Sequence, residues 1–424
     1  MVISNLLYFI LKRNILKYFY FKNPLFNYEK KDKIILIEDS FFKKILLDYP
    51  TPFFLISEEK LLNKLNFIED YIKQFGFNFK IAYSIKTNHL SKILQIFQTK
   101  NFIAEVVSNW EFNLAKKNGF NGNKIIFNGP MKLEKDILFA INENSLIQID
   151  NFDELNRIIL ISRKLKKILK IGIRVNSRFF GKSRFGFNLE NGEIKKCCKL
   201  INESGYLKLS GLHMHLGYNI GYNLPPFIYK KQAELLSKLA LDLLNKNFPI
   251  EYLNFGGSLP SENVKHVDSY SLRNYSLDKY FDEIFKTLLK FFPKKNINIF
   301  FELGRSLIDD CSFFITKVVN VNPYVVDSSI SMLPLITENE YSFEIINQNK
   351  LANKNKFLKT KVYGNTCREN DILIKNKFLP KLFFGDYIFF KSVGAYNIPL
   401  LNEFSFSKPL ILFLKRNNKI SVLK

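Results

Sequence analysis

The sequence predicts an α/β protein, a closed (β/α)8 TIM-type barrel followed by a C-terminal all-β domain. Three observations predict it. Short apolar runs alternate with helix-spaced segments about eight times between Ser57 and Glu302, the count and order of a parallel barrel. Beyond Asp309 the long helical periods stop and short strand-like runs take over. No G-x-G-x-x-G opens the first unit, so a doubly wound open sheet fits less well. At 424 residues the chain can bury a large core and carry a second domain. The expected division is a basic N-terminal extension (1–30), a strand joining the β-domain (31–48), the barrel (49–310) and the β-domain (311–424).

Each element has a local reason. Residues 57–75 place Leu, Ile and Phe at helical spacing behind Ser57, whose hydroxyl suits an N-cap. The first barrel strand is expected at 79–85. Helices at 89–99, 110–117, 133–142, 153–165, 195–203, 230–247 and 277–292 then alternate with strands at 103–107, 124–127, 146–149, 169–175, 209–215, 252–255 and 297–302. Gly119 closes the helix before it. In the β-domain the expected strands are 313–321, 361–363, 387–393 and 410–414, with an early run at 33–37 returning to join them.

Composition narrows the function. The net charge of +24 raises nucleic acid as a partner. The lysines are scattered along helix faces, however, and no arginine stripe, RNP-like strand or Cys/His finger accompanies them. No nucleic-acid partner is therefore expected. Cys197, Cys198, Cys311 and Cys367 show neither zinc-ligand spacing nor a disulfide framework, so no metal site is expected and a reducing, cytoplasmic setting fits. Residues 1–26 are basic and aromatic-rich. Lys and Arg interrupt their apolar run and no small-residue cleavage site follows, so they read as a cytosolic extension without membrane contact.

Barrel chemistry sits at the C-terminal ends of the strands. Lys86, in A-Y-S-I-K-T-N, ends the first strand, where its amine can form a Schiff base with an aldehyde cofactor. His213 and His215, in G-L-H-M-H-L-G, end the sixth. Gly256 and Gly257, in N-F-G-G-S, end the seventh. Glu302, Gly304 and Arg305, in F-E-L-G-R, end the eighth. The glycines let backbone N–H groups close on phosphate oxygens, and Arg305 offers a fork of donors to the same anion. Glu302 can hold a proton on a pyridine nitrogen, and the His215 ring can stack on the cofactor face. Singly these motifs are common; in this order, at matching strand ends, they specify a pyridoxal 5'-phosphate site. The β-domain adds Cys367, Arg368, Glu369 and Asp371 in G-N-T-C-R-E-N-D, and Tyr396 in V-G-A-Y. A cysteine among charged residues is a candidate proton donor.

As a set these residues resemble the fold-type III pyridoxal-phosphate decarboxylases, the family of diaminopimelate, ornithine and arginine decarboxylases, whose fold alanine racemase shares more distantly. The similarity runs from about residue 50 to about residue 410. It rests on Lys86 in a Y-A-x-K-A-N-like motif, A-E-V-V-S at 104–108, R-V-N at Arg174, R-F-G at 184–186 and the histidine motif. Gly256, Gly257 and Ser258 stand for G-G-G. The series closes with E-L-G-R for E-P-G-R, C-R-E-N-D for C-E-S-x-D, and V-G-A-Y. The resemblance implies that Lys86 is the Schiff-base lysine, that His215 lies over the cofactor and that Tyr396 touches its phosphate. It implies substrate contacts from Arg174, Arg368, Glu369 and Asp371. It also implies a head-to-tail homodimer in which Cys367 of one subunit donates a proton in the other's site.

Departures bear on the substrate. Ser258 replaces a phosphate glycine, Leu303 replaces a proline, and Tyr218 stands where the family often has a phosphate-binding serine. Asp327 begins a V-D segment that lacks the family's glycine. Arg368 replaces the acid that reads a distal amine, and a guanidinium there pairs with a carboxylate or phosphate. The expected activity is decarboxylation of an amino acid with an acidic or conjugated distal end, in a biosynthetic pathway. Alternatives are a housekeeping diaminopimelate decarboxylase in lysine biosynthesis, with Glu369 restoring amine recognition, and an inactive regulatory homologue binding a partner protein. A racemase would usually face Lys86 with a tyrosine base instead of the Cys367 loop.

Overall fold

The alternation of apolar runs and capped helices closes into a parallel barrel in the computed structural model, which describes residues 40–216, 224–261, 265–266, 275–346 and 357–423. A helix at Ser40–Asp48 leads into β1 (Phe53–Ser57). The next strands are β2 (Phe79–Ser84), β3 (Ile103–Val106), β4 (Ile125–Phe127), β5 (Leu146–Ile149) and β6 (Leu169–Asn176), with the short β7 (Phe187–Asn188) beside β6. Then come β8 (Leu207–His213), β9 (Tyr252–Asn254), the short β10 (Lys265–His266) and β11 (Asn298–Leu303). The barrel order is β5-β4-β3-β2-β11-β9-β8-β6, and β5 pairs with β6 to close it. Strands such as β3 and β4 are buried along their whole length, as a sheet wrapped by helices requires.

The helices form where the sequence caps and stripes them. Helix Glu58–Lys73 starts at Ser57, whose hydroxyl accepts from the Lys60 N–H at 3.3 Å. Glu58 and Glu59 complement the positive end of its dipole, and Leu61, Leu65, Ile68 and Ile72 turn one face inward. Ser108 and Asn151 cap Asn109–Lys117 and Phe152–Leu165 in the same way. Between β4 and β5 the barrel mouth is locked by a buried pair: Lys132 Nζ lies 2.8 Å from Glu154 Oε1, both side chains being inaccessible to solvent. Lys132 also donates to the carbonyls of Gly129 and Gln148, and Glu154 accepts from the Asp150 N–H.

The remaining strands are β12 (Ser312–Val321), β13 (Tyr324–Val326), β14 (Asn339–Glu340), β15 (Phe343–Ile346), β16 (Phe357–Tyr363), β17 (Ile372–Pro380), β18 (Tyr387–Lys391), β19 (Leu410–Leu414) and β20 (Ile420–Leu423). Apart from β14, which pairs with β10, they form a mixed sheet with β1, ordered β17-β16-β13-β12-β1-β19-β20, with β18 joining β12 to β15. Of the joining segment expected at 31–48, the run at 33–37 lies outside the described residues and Ser40–Asp48 is helical. Among the described residues β1 joins the β-domain sheet, antiparallel to β12 and parallel to β19. Its continuous apolar run, F-F-L-I, is buried between neighbours on both edges. Ile45 of the preceding helix packs on the same sheet with Phe53, Leu55, Ile315 and Leu412. β16 begins earlier than the expected 361–363, because exposed Lys359 and Lys361 interrupt its apolar pattern.

Among the described residues no helix is long and apolar enough to cross a membrane. The Lys132–Glu154 pair generates a stability prediction. Lys132→Met leaves a buried carboxylate uncompensated and is expected to cost about 3–5 kcal/mol in equilibrium unfolding. Removing Glu154 as well, with Glu154→Leu, is expected to recover most of the loss.

Candidate active site

Lys86 leaves the barrel wall in one turn of 3-10 helix, Ile85–Thr87, directly after β2. Its ammonium is hydrogen-bonded to Glu105 on β3. Asn128, just past β4, donates from Nδ2 to Glu105 Oε1 at 3.1 Å and to Glu302 Oε1 at 2.8 Å. Asn254 at the end of β9 adds a second donor to Glu302 Oε1, and His213 Nε2 lies 3.2 Å from Glu302 Oε2. Six strand ends thus bring one amine, two carboxylates, two amides and an imidazole together.

The electrostatics follow from this packing. Burial alone would favour a neutral Lys86 amine, but Glu105, Tyr396 and Glu111 outweigh it and raise its pKa. Burial likewise pushes Glu302 up, yet His213, Asn128 and Lys86 hold it well below the usual carboxylate range. Glu302 is therefore an ionised carboxylate in a nearly dry site. Glu111, whose Oε2 accepts from the Val107 N–H at 2.8 Å, is pushed up to about 7 by burial and by Glu105.

His215 is held neutral, by burial first and then by Arg174 and His213. Its Nδ1 accepts from the Gly257 N–H at 3.1 Å, which leaves the proton on Nε2, 3.0 Å from Ser258 Oγ. Ser258 passes its own hydroxyl proton to the Leu216 carbonyl. The serine in place of a third glycine therefore buttresses His215. It does so in the left-handed region, at φ 68°. Gly256 is left-handed too, at φ 62°, and a Cβ there would meet His215 at 2.8 Å. At Gly257 a Cβ would lie 2.5 Å from the Glu302 carbonyl. These two positions require glycine, and they keep the cradle floor bare.

The other expected residues fall into place unevenly. Arg305 is buried, pairs with Asp309 at 3.0 Å and lies 5.2 Å from the Tyr396 ring centroid. Tyr396 donates its N–H to the Thr87 carbonyl at 2.7 Å. A Cβ on Gly304 would fall 2.2 Å from Thr87 Oγ1. Arg174 pairs with Asp150 at 3.5 Å, lies over the Phe185 ring and forms part of the site wall. Asp371 is buried, and its carboxylate accepts from the Ile330 and Thr366 N–H groups and the Thr366 hydroxyl, so it folds the Cys367 loop. Cys367, Arg368 and Glu369 are exposed on that loop, with Arg368 over the Phe404 ring. No hydrogen bond or ion pair among the described residues ties the three to the Lys86 cluster. Tyr218 lies outside the described residues. Asp327 is structural: it accepts from Thr51, Thr316 and Lys317.

The sequence reading missed Asn128 and Asn254 and gave Glu105 no role. Each occupies a strand end, in A-E-V-V, F-N-G and N-F-G-G, where position alone marks a candidate. Ligand atoms of His213, His215 and Glu302 lie within 4.8 Å of one another, a spacing open to a metal ion. Bonds to Asn128, Asn254, Gly257 and Ser258 commit most of those atoms instead.

The arrangement fits pyridoxal 5'-phosphate. Thr87 Oγ1 and Asn128 Oδ1 are buried without partners among the described residues beside Lys86 and Glu302, polar atoms that a polar ligand would satisfy. Lys86 suits the aldehyde, Glu302 a protonated ring nitrogen, and the Gly256–Gly257 floor the phosphate. The barrel with its appended sheet and this mouth define an enzyme of the pyridoxal-phosphate class. The family model described as pyridoxal-dependent decarboxylase, pyridoxal binding domain, matches residues 65–309, more than half of the chain. The chain belongs to this family, the fold-type III decarboxylases, lyases that act on amino acids with pyridoxal 5'-phosphate as cofactor.

Diaminopimelate decarboxylase of Methanocaldococcus jannaschii is 26% identical over 382 residues, covering 84% of each chain. The crystal structure of the Helicobacter pylori diaminopimelate decarboxylase complexed with L-lysine superposes with a TM-score of 0.77 at 22% identity, covering 90% of this chain and 95% of that one. SrLDC in complex with PLP and cadaverine gives a TM-score of 0.74 at 17% identity, covering 91% and 96%. Both structural likenesses concern the fold.

Glu105→Gln removes the carboxylate that keeps Lys86 protonated. The amine then loses its proton at lower pH. The pH at which the apoprotein takes up pyridoxal phosphate, followed by its visible absorbance, is expected to fall by about 1 unit or more.

Proposed function

We propose that the enzyme decarboxylates an α-amino acid whose distal end carries a carboxylate or is conjugated. The observation that carries this reading is Arg368, exposed on the Cys367 loop with no carboxylate paired to it among the described residues. A guanidinium repels a distal ammonium and binds a carboxylate in a bidentate way. Diaminopimelate is the specific second reading, favoured by the names of the relatives. Its far end bears a carboxylate and an ammonium together, which Arg368 and Glu369 could divide between them. An inactive partner-binding homologue has no support from a mouth that keeps Lys86, Glu302 and the glycine floor.

When bound, the cofactor supplies an electron sink for the pair left behind as the α-carboxylate departs as CO₂. The protein's part is placement and proton control. Glu302, ionised and fixed by Asn128 and Asn254, would stabilise positive charge at the cofactor's ring nitrogen. Lys86 would hold the cofactor through its amine, and neutral His215 would pack beside the ring. Cys367 is the proposed donor of the proton that replaces CO₂ at Cα. Among the described residues the Cys367 loop has no bond to the Lys86 cluster of its own chain, and we assign it to the site of a partner subunit in a homodimer.

The test is CO₂ release from amino acids that differ only at the far end. Release from acidic or diaminopimelate-type substrates is expected, with lysine and ornithine at least about tenfold poorer. Equal turnover of lysine or ornithine would overturn the reading. Arg368→Glu is expected to move preference towards those diamino acids, measured as a ratio of kcat/KM values. Mixing inactive Lys86→Ala and Cys367→Ala subunits is expected to restore part of the activity, as shared sites require.

A further inference from the structure

Asp309 is a fully buried carboxylate that the reaction does not explain. It follows the short helix Arg305–Ile308 that starts at Gly304. Its Oδ2 accepts from Arg305 NH1 at 3.0 Å and its Oδ1 from the Ala395 N–H at 2.9 Å, while its carbonyl accepts from the Gly394 N–H. The guanidinium it holds lies on its other side over Tyr396, whose N–H is tied to Thr87 beside Lys86. Arg305 therefore stands between a buried anion and the place assigned to the cofactor's phosphate.

We propose that Asp309 is a positioning residue that competes with the cofactor's phosphate for Arg305, so that phosphate binding is tied to proton uptake at Asp309. This rests on the assignment of the phosphate to Arg305, Tyr396 and the Gly256–Gly257 floor. A dianion arriving beside Arg305 brings negative charge close to an existing carboxylate. Protonating that carboxylate relieves the repulsion and leaves the guanidinium to the phosphate.

The surroundings allow it. Asp309 is pushed up to about 7 by burial, against the pull of Arg305; Asp310 raises it further and the Ala395 N–H lowers it. Asp310 itself is held by Ser261 and Ser392, with Lys64 of helix Glu58–Lys73 3.6 Å away. From the β-domain the Tyr341 hydroxyl accepts from Asn339 and Asn397. Arg305 is the cation in direct contact, and burial raises the Tyr341 hydroxyl so that it stays neutral near pH 7. The sign follows. Bound phosphate raises Asp309 above its free value, so below about pH 7 the residue is already protonated and no linkage shows. As pH rises beyond that, binding weakens until the bound-state value is passed.

The experiment titrates apoprotein with pyridoxal phosphate and with pyridoxal, which lacks the phosphate, from pH 6 to pH 9. The ratio of the two affinities isolates the phosphate. Asp309→Asn, checked for folding by circular dichroism, is expected to match wild type within about twofold near pH 6 and to favour pyridoxal phosphate by about tenfold over wild type above pH 8. Pyridoxal affinity should not change. A ratio weakened equally at every pH would overturn the proposal and leave Asp309 a purely structural support. Asp310→Asn provides a second measurement, because it keeps Asp309 but removes the neighbour that raises it. The pH window should move lower, and an unmoved window would overturn the proposal. Wild-type apoprotein that takes up neither compound would overturn the cofactor assignment itself, and this proposal with it.

Discussion

Lys86 and Glu302 carry opposite charges at neighbouring strand ends and must not simply neutralise each other, because each has a separate task on the cofactor. Glu105 and Asn128 resolve the conflict. Glu105 takes the ammonium, and Asn128, with two N–H groups on one nitrogen, donates to both carboxylates at once. Asn254 and His213, on β9 and β8 along the other flank of β11, complete the shell around Glu302. The whole mouth is organised around this bridge. Its strength comes from exclusion of water, since in bulk solvent neither the amides nor the paired charges would order the site.

The second constraint is contact between domains. The 393–397 loop of the β-domain sits on the barrel at three points: Asn88 to the Gly394 carbonyl, Asp309 to the Ala395 N–H, and the Tyr396 N–H to Thr87. Tyr396 pays for this with a left-handed backbone at φ 65°, unusual for an aromatic residue. Asn397 offsets the strain by binding Val393, Leu335 and Tyr341. Strain of this kind persists only where the surroundings over-determine the conformation, and here they fix the ring that faces Arg305.

The barrel was legible because its signals are local. Ser57, Ser108 and Asn151 mark helix starts, and most of the barrel's apolar runs end at a residue that the site uses. Lys86, His215, Gly256, Gly257 and Glu302 converge as their order along the chain implied. What was not legible depends on pairing at a distance. Nothing in F-F-L-I says that it lies between two β-domain strands. Asn128 and Asn254 carry no motif, and their meaning appears only when both reach Glu302. Asp371 shares a motif with Cys367 but points into the loop, a direction that spacing cannot supply. Ser258 read as a lost glycine, whereas its hydroxyl supports an imidazole.

The placement of β1 also governs how the molecule can be assembled. Phe53 pairs with Leu410, so a strand made early during synthesis waits for one made almost last. Until the C-terminal stretch leaves the ribosome, one edge of β1 has no neighbour, and an apolar run with an open edge is prone to stray pairing. The barrel, whose strands pair mostly with neighbours in order, can consolidate first and hold β1 in position for its late partner. Cutting the gene between barrel and sheet would therefore strand an essential piece of the second domain at the front of the first.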